Sequence, residues 1–185
     1  MNEAKLIEAA KNGDKQAMAA LVKAFERTVY NFAFKICRDP DRAEDIMQET
    51  FLSMIKSLKQ FDGKSKLSTW LYRIVVNHCL MENRKRKYEF VSIDDDDNLY
   101  GGGYATDWDT IPINSVENKE LKNILDSSIG KLSPEYRAVF LLRDIEGLST
   151  EETAKITELS IAAVKSRLHR ARAFLRKEIN KAFQK

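Results

Sequence analysis

The stretch that most constrains the fold of this chain lies in its last third, between Leu148 and Arg172. Ser149 and Glu152 form an S-x-x-E capping box, which predicts the start of a helix. Ser160 is a favoured N-cap residue and predicts that a second helix begins after a short turn. Two short helices joined by a tight turn form a helix-turn-helix, so this part of the chain is predicted to be helical throughout.

The second helix of this motif is predicted to run from Ile161 to about Ile179 and to be basic outside its apolar stripe. Six Lys or Arg and no acid lie between Lys165 and Lys177. Small residues near the start of the helix permit close approach to base edges, and the cations can reach phosphates. DNA binding is therefore favoured over the alternative, a solvated basic face on an ordinary helix. The predicted inward stripe is Ile161, Val164, Leu168, Ala171 and Leu175.

The charge of the chain is unevenly distributed. The formal net charge is only +3, yet residues 31–87 and residues 119–185 each carry +5, whereas residues 88–118 carry −8. Two basic blocks joined by an acidic segment indicate two modules that both meet a polyanion.

Helical periodicity fills both basic blocks, and only seven Gly and three Pro interrupt the chain. Asp14 and Asp39 are predicted N-caps of long helices, and residues 61–66 form a polar loop. Residues 88–114 show no helical period and are too long for a simple connection inside one domain. The sequence therefore predicts an all-α chain of two small helical domains, an N-terminal bundle and a helix-turn-helix domain, joined by a flexible acidic linker: 1–87, 88–114 and 115–185.

Catalysis and metal binding find no support in the sequence. Cys37 and Cys79 lie inside apolar helical patterns and are predicted to be buried, reduced thiols. There is no C-x-x-C or H-x-x-x-H spacing, no phosphate-cradling glycine loop and no nucleophile elbow. We therefore expect no enzyme activity, no metal and no cofactor. The sequence also lacks a secretory apolar run and a membrane-spanning segment, so a cytoplasmic location without membrane insertion is expected.

Four segments, in order, resemble the extracytoplasmic-function (ECF) class of bacterial RNA polymerase sigma factors, and the resemblance covers nearly the whole chain. Residues 41–51 resemble the segment that binds core polymerase, and residues 61–77 resemble the promoter-melting segment. Residues 132–149 and 164–172 resemble the last domain of that family. The resemblance implies that residues 1–87 form a sigma region 2 domain and residues 115–185 a sigma region 4 domain.

The resemblance further implies a transcription initiation subunit that binds core RNA polymerase, recognises −10 and −35 promoter elements, and promotes DNA melting. Its expected partners are promoter DNA, the largest and second-largest polymerase subunits, and an anti-sigma factor. The protein is expected to be a monomer when free. The competing interpretation is a helix-turn-helix regulator that binds operators without polymerase, although the segments at 41–51 and 61–77 argue against it.

Candidate site residues follow from the resemblance together with their chemistry. Melting needs a pocket for an unstacked base and cations for the exposed strand, whereas duplex reading needs donors that reach base edges. For core binding the candidates are Asp45, Gln48 and Glu49. These three residues are predicted to share a polar stripe with Ser53 on a helix whose inward side includes Ile55. For the −10 element the candidates are Lys64, Ser65, Lys66, Arg73, Asn77, Arg84 and Arg86. For the −35 element they are Lys165, Ser166, Arg167, His169 and Arg170.

Several side chains leave alternatives open. Trp70 is interpreted as core rather than as a stacking platform, while Tyr72 is compatible with either role. Arg137 and Arg143 are equally compatible with phosphate contacts and with salt bridges inside the domain. The acidic run 94–97 either mimics nucleic acid in a polymerase channel or serves as a solvated tether.

Three positions depart from the family pattern. Glu158 stands where a glycine is usual, and a left-handed backbone there costs a residue with a Cβ about 1 kcal/mol. Ala163 stands where the family has Thr, and Thr153 where it has an aliphatic residue. We expect these departures to change the turn or the −35 specificity rather than the fold.

Overall fold

The computed structural model describes residues 3–85 and 119–183, and all regular structure in these two ranges is helical. The described residues divide into two compact units, one before and one after the predicted linker at 88–114, which lies outside them together with the acidic run 94–97. The predicted all-α architecture of two helical domains is thereby confirmed.

The first unit contains four helices and a short 3₁₀ turn. Helices α1 and α2 are separated at Gly13, and α3 continues into the 3₁₀ turn before the polar loop leads into α4. Their bounds are α1 Glu3–Lys11, α2 Lys15–Cys37, α3 Pro40–Ser57, the 3₁₀ turn Leu58–Gln60, and α4 Leu67–Lys85.

Aspartate caps fix the starts of α2 and α3, as the sequence predicted. The Asp14 carboxylate accepts the backbone N–H groups of Gln16 and Ala17 at 2.8 and 3.1 Å. Asp39 does the same for the first turn of α3, where Pro40 occupies the first helical position and has no N–H to satisfy. Between the two helices the chain reverses at Arg38, which adopts a left-handed backbone conformation with φ 58°.

Helices α2, α3 and α4 pack around one apolar core. The rings of Phe32 in α2 and Tyr72 in α4 lie 4.2 Å apart, and Tyr72 is only 7% exposed. The alternatives for Tyr72 are thereby resolved in favour of the core. Residues that are at most 2% exposed in this core are Leu21, Val29, Phe32, Ala33, Ile36, Ala43, Ile46, Met54, Leu58, Leu67, Leu71, Val75, Val76 and Cys79.

The second unit contains helices α5 to α8. Helix α6 passes directly into a π-helical turn, and the capping box at Ser149 then starts α7. The long α8 packs against α5, α6 and α7. The bounds are α5 Lys119–Lys131, α6 Pro134–Phe140, the π-helical turn Leu141–Ile145, α7 Thr150–Thr157 and α8 Ile161–Phe183.

A buried arginine closes the end of α5. Arg137 is 2% exposed, and its guanidinium donates hydrogen bonds to the carbonyl oxygens of Ile129, Gly130 and Leu132 at 3.1, 2.6 and 2.6 Å. The last carbonyls of a helix have no partner inside it, and the arginine supplies donors to them. The Ile129 carbonyl also accepts the backbone N–H of Leu132 at 3.2 Å. Arg137 is therefore a structural residue, and the prediction that left phosphate contact open for it is corrected.

Two apolar residues predicted to face inward are exposed instead. Ile55 in α3 is 49% exposed, and Ile161 at the start of α8 is 44% exposed. Ile55 follows the buried Met54 and lies at the edge of the buried stripe, since a helix buries a narrower arc than the sequence pattern covers. Ile161 shares the spacing of the buried α8 residues, but it is the first residue of that helix. The rest of the predicted α8 stripe is buried: Val164, Leu168, Ala171 and Leu175.

Candidate nucleic-acid interface

The outer face of α3 combines polar and apolar side chains. Asp45, Gln48 and Glu49, the predicted polymerase contacts, are all exposed. Leu52 and Ile55 are each 49% exposed and continue the same face at helical spacing. Large exposed aliphatic groups beside a polar stripe are typical of a protein–protein contact. The sequence pattern missed this pair because it assigned Ile55 to the core.

Ser53 does not belong to that face, although the sequence placed it on the polar stripe. Its side chain is half-buried, and its hydroxyl lies 3.3 Å from the Nε2 atom of His78 in α4. This hydrogen bond connects α3 to α4, so His78 is a packing residue.

The loop before α4 is shaped by an Asx turn. The Asp62 carboxylate accepts the backbone N–H of Lys64 and lies 3.0 Å from its ammonium group. The hydrogen bond from that backbone N–H, followed by the one from the ammonium, lowers the pKa of Asp62 below its usual value. Gly63 takes the left-handed conformation that the turn requires, with φ 72°. The three predicted contacts in the loop are all exposed: Lys64, Ser65 and Lys66.

An aromatic pair anchors this loop to α4. The Phe61 ring is buried and lies 5.4 Å from the Trp70 ring, and the Lys11 ammonium sits 5.8 Å from the Phe61 centroid. Trp70 is half-buried, so its predicted assignment to the core is only partly correct. This contact fixes Phe61 at the start of the loop, while the rest of the loop is exposed to solvent.

One side of α4 carries the remaining candidates of the first unit. Arg73 is exposed and Asn77 half-buried, and their four-residue spacing puts them on one face. Met81 lies a further four residues on and is 56% exposed, a position that sequence reasoning did not select. Arg84 lies in the last turn of α4, where the structure describes the backbone but not the side chain, and Arg86 lies outside the described residues.

In the second unit the helix-turn-helix forms as the sequence predicted. The Ser149 hydroxyl accepts the N–H of Glu152 at 3.0 Å, and the Glu152 carboxylate accepts the N–H of Ser149 at 2.8 Å. Glu158 ends α7 in a left-handed conformation with φ 57° and ψ 35°. Ser160 then caps α8 by accepting the N–H of Ala163 at 3.1 Å.

The five −35 candidates on α8 fall into two groups. Lys165, Ser166 and His169 are exposed on one face of the helix. Arg167 and Arg170 are half-buried against Tyr136 of α6: the Arg167 guanidinium lies 5.8 Å from the tyrosine ring centroid, and Arg170 donates a hydrogen bond to the tyrosine hydroxyl at 3.3 Å.

Tyr136 is therefore a residue that the sequence reasoning missed. Its ring is 9% exposed and positions two cations of α8 from another helix. No local spacing signals this role, because Tyr136 and Arg170 are 34 residues apart in the chain. These contacts with the tyrosine restrict the conformations of both arginine side chains.

Arg172, predicted as a flanking cation that could reach phosphates, is bound within the protein. Its guanidinium forms a two-pronged pair with Asp144, with N–O distances of 2.8 and 2.7 Å. The Asp144 side chain is only 7% exposed, so the pair is largely shielded from solvent. Arg143 also turns inward and donates to the carbonyl of Leu148. Both contacts stabilise the second unit, and the prediction for Arg172 is corrected.

Within the described ranges, no helix is long and apolar enough to cross a membrane. In the same part of the chain, no three His, Cys, Asp or Glu side chains come together in a way that could hold a metal ion.

Comparison with known proteins identifies both units. Residues 21–88 match the family model for Sigma-70 region 2, and residues 122–175 match that for Sigma-70 region 4. The chain is 33% identical over 181 residues to the ECF RNA polymerase sigma factor SigW of Bacillus subtilis, with 95% of each chain covered. It is 32% identical over 178 residues to the ECF RNA polymerase sigma-E factor of Haemophilus influenzae, with 94% of this chain and 93% of that one covered.

Solved structures give the same result. One match is the sigma factor RpoE in complex with the anti-sigma factor NepR from Bartonella quintana, with a TM-score of 0.61, 26% identity, and coverage of 90% of this chain and 96% of that chain. Another is CnrH in complex with the cytosolic domain of CnrY, with a TM-score of 0.63, 26% identity and coverage of 95% and 96%.

The matches to Sigma-70 region 2 and then region 4, in this order along the chain, define a two-domain transcription initiation factor. The chain belongs to the family of ECF RNA polymerase sigma factors. Its role is therefore that of a sigma factor in transcription initiation, and the family is not a class of enzymes.

Proposed function

We propose that this sigma factor binds core RNA polymerase through α3, recognises the −10 element and promotes melting through the 61–66 loop and α4, and recognises the −35 element through α8. The proposal rests on the way in which exposed side chains are distributed over these elements. Each of these elements presents its own set of candidate side chains, and each set has the chemistry that its proposed partner requires.

The proposed polymerase contact is the outer face of α3. Gln48 and Glu49 supply polar contacts, while Leu52 and Ile55 supply apolar area that is removed from water on binding. An interface with an apolar centre and a polar rim is the usual arrangement for a stable protein–protein contact. We expect a coiled coil of the largest polymerase subunit to dock here.

The proposed −10 contact combines cations with a base-reading group. Lys64 and Lys66 project from a loop whose base is anchored, and they are placed to neutralise the phosphates of a strand leaving the duplex. Ser65 lies between them. Along α4, Arg73 supplies a further cation, and the amide of Asn77 can donate to and accept from the edge of an unstacked base.

The proposed −35 contact is the exposed face of α8. Lys165 supplies charge for a phosphate, and Ser166 and His169 supply donors and acceptors for base edges. Arg167 and Arg170 approach from their positions on Tyr136. The small side chain at Ala163 leaves room for the helix to enter the major groove.

An anti-sigma factor is proposed as a further partner. The similar protein RpoE is crystallised in complex with the anti-sigma factor NepR. Exposed aliphatic groups on α3 offer a surface that such a protein could cover, which would block polymerase at the same time. The free sigma factor is proposed to be a monomer.

The decisive experiment measures core binding and promoter-dependent transcription with matched variants. The purified protein is mixed with bacterial core RNA polymerase and assayed on a promoter library. We expect stable association and new sequence-selective transcripts. Replacing Leu52 and Ile55 with Ser is expected to abolish association, whereas Ile161→Ser, which alters an equally exposed aliphatic residue of the other unit, is expected to leave core binding intact.

A second pair of variants tests promoter recognition. Lys165→Ala is expected to reduce promoter occupancy by the holoenzyme, whereas Lys155→Ala, which removes an exposed lysine from α7 of the same unit, is expected to change it little. The competing function, an operator-binding regulator, would replace the proposal if the protein failed to bind core polymerase yet shifted duplex DNA alone.

A further inference from the structure

The two cysteines of the chain meet in the first unit. Cys37 is the last residue of α2 and Cys79 lies in α4, and their sulfur atoms are 3.0 Å apart. A disulfide bond is about 2.05 Å long, so the sulfurs need to approach by only about 1 Å to reach bonding distance. No local sequence pattern foretells this contact, because the two residues are 42 positions apart.

The two cysteine residues differ in exposure. Cys79 is 1% exposed, whereas Cys37 is half-buried, which corrects the prediction that both thiols are enclosed. A small molecule in solution can therefore reach Cys37 first. Once Cys37 has formed a mixed disulfide, the neighbouring Cys79 is the thiol that attacks its sulfur and forms the protein disulfide.

We infer that Cys37 and Cys79 form a reversible thiol–disulfide couple that covalently ties α2 to α4. The oxidant is a low-molecular-weight disulfide. The Cys37 thiolate attacks one of its sulfurs and releases the first small thiolate. Cys79, after loss of its proton to solvent, attacks the Cys37 sulfur of the mixed disulfide and releases the second. Two protein thiols are oxidised, and one small disulfide is reduced to two thiols.

The environment of Cys79 sets the character of this couple. Burial raises the pKa of the Cys79 thiol well above its usual range, and the neighbouring Cys37 raises it further. The charge of Arg42 opposes this shift, while that of Glu82, which is paired with Arg42 at 3.2 Å, adds to it. Since the thiolate is the attacking species, this shift is expected to slow the closure of the bond at neutral pH.

The bond would change the stability of the first unit without adding any other contact. It would close a loop of about 40 residues. The closed loop restricts the unfolded chain and makes oxidation more favourable in the folded chain than in the unfolded one, on the order of a thousandfold. The inference depends on the packing of α2 and α4 alone and is independent of the proposed promoter contacts.

The test compares the redox equilibrium of the folded and unfolded chain. The full-length protein is equilibrated anaerobically with varied ratios of reduced and oxidised glutathione, quenched with acid, alkylated and analysed by peptide mass spectrometry. The same titration is repeated in urea. We expect a Cys37–Cys79 linked peptide whose equilibrium constant of formation is larger in the folded protein, on the order of a thousandfold. A constant equal to or below that of the unfolded chain, or a disulfide between two molecules as the main product, would overturn the inference.

Single variants test the order of the two steps. In Cys79→Ser, Cys37 has no resolving partner and is expected to hold one glutathione as a stable mixed disulfide. In Cys37→Ser, the enclosed Cys79 is expected to hold none in the folded state and one after unfolding in urea. Equal modification of both folded variants would contradict the assigned order.

Discussion

At the scale of single residues, the end of α7 carries a measurable strain. Glu158 adopts a left-handed backbone, and its N–H donates to the carbonyl of Ala154. Because glycine takes this conformation without a Cβ clash, Glu158→Gly is expected to raise the free energy of unfolding of the second unit by about 0.5–1 kcal/mol, after allowing for the larger unfolded-state entropy of glycine. Hydrogen exchange of the second unit's amides in the full chain measures this change.

Alanine provides the control at the same position. Glu158→Ala removes the same carboxylate but keeps the Cβ, so it is expected to bring no comparable gain. If alanine protected the amides as strongly as glycine did, the carboxylate rather than the backbone would be the source of the strain.

A second residue-scale effect lies inside α7. Thr153 is fully buried, and its hydroxyl finds no hydrogen-bond partner among the described residues. An unpaired buried hydroxyl costs free energy, so Thr153→Val, which has nearly the same shape, is expected to stabilise the unit by about 1 kcal/mol.

The hydroxyl of Thr157, in contrast, donates to the Thr153 carbonyl at 2.7 Å. Thr157→Val is therefore the matched control and is expected to bring no gain in urea unfolding; a gain of equal size would show that valine's apolarity, not the unpaired hydroxyl, accounts for the effect.

At the scale of elements, two cations of α8 that look alike in the sequence have different tasks. Arg172 is paired with the enclosed Asp144, whereas Lys165 is exposed. Arg172→Ala leaves the shielded Asp144 carboxylate without its partner. This change is expected to lower the free energy of unfolding of the second unit by about 2 kcal/mol. Arg172→Lys is expected to recover part of this loss, since it restores charge without the two-pronged geometry.

The matched variant Lys165→Ala is expected to leave stability unchanged and to weaken promoter binding. Urea unfolding of both variants, beside promoter binding by the reconstituted holoenzyme, separates the two tasks. Loss of stability in Lys165→Ala, or none in Arg172→Ala, would reverse the assignment.

The contact between α5 and α8 is expected to depend on pH. Glu178 of α8 lies within hydrogen-bond distance of Lys131 of α5 and of Lys181, and these two bonds, that of Lys131 first, lower the pKa of Glu178 below 4.5. A carboxyl whose folded pKa is depressed adds stability above the unfolded pKa and loses it as the pH falls through the folded pKa. Since both lysines are more than half exposed, the effect is expected to stay below about 1 kcal/mol.

The variant Glu178→Gln isolates this contribution. Wild type is expected to be the more stable protein at pH 7, and the difference is expected to shrink as the pH falls below 4.5. Urea unfolding at pH 7, 5 and 3.5 measures it, and a difference that stays constant over this range would exclude the carboxylate as its cause.

At the scale of the whole molecule, local signals predicted the architecture well. The caps at Asp14, Asp39 and Ser149 and the apolar periodicity depend on neighbours within four residues, so they can be read from the chain. Contacts between residues that are distant in the sequence could not be predicted in this way. The roles of Tyr136 and Arg172 were missed for this reason. The exposure of residues at the edge of an apolar stripe, such as Ile55, was also missed, because it depends on how closely the next helix packs.

The distribution of charge over two units leads to the last prediction, which concerns salt. Each phosphate contact made to duplex DNA releases condensed counterions and steepens the slope of log binding constant against log salt by about 0.9, and each contact to a single strand by about 0.7. Lys165→Ala, in the proposed duplex-reading unit, is therefore expected to reduce the slope for holoenzyme and promoter by about 0.9, and Lys64→Ala, in the proposed melting unit, by about 0.7.

Because these lysines belong to separate units, the reductions are expected to add in the double variant. Lys59→Ala, which removes an exposed lysine from the 3₁₀ turn, serves as the control and is expected to leave the slope unchanged. Filter binding at several salt concentrations gives each slope. If Lys165→Ala and Lys64→Ala both matched the control, neither lysine would neutralise a phosphate, and promoter affinity would arise from contacts that carry no counterion release.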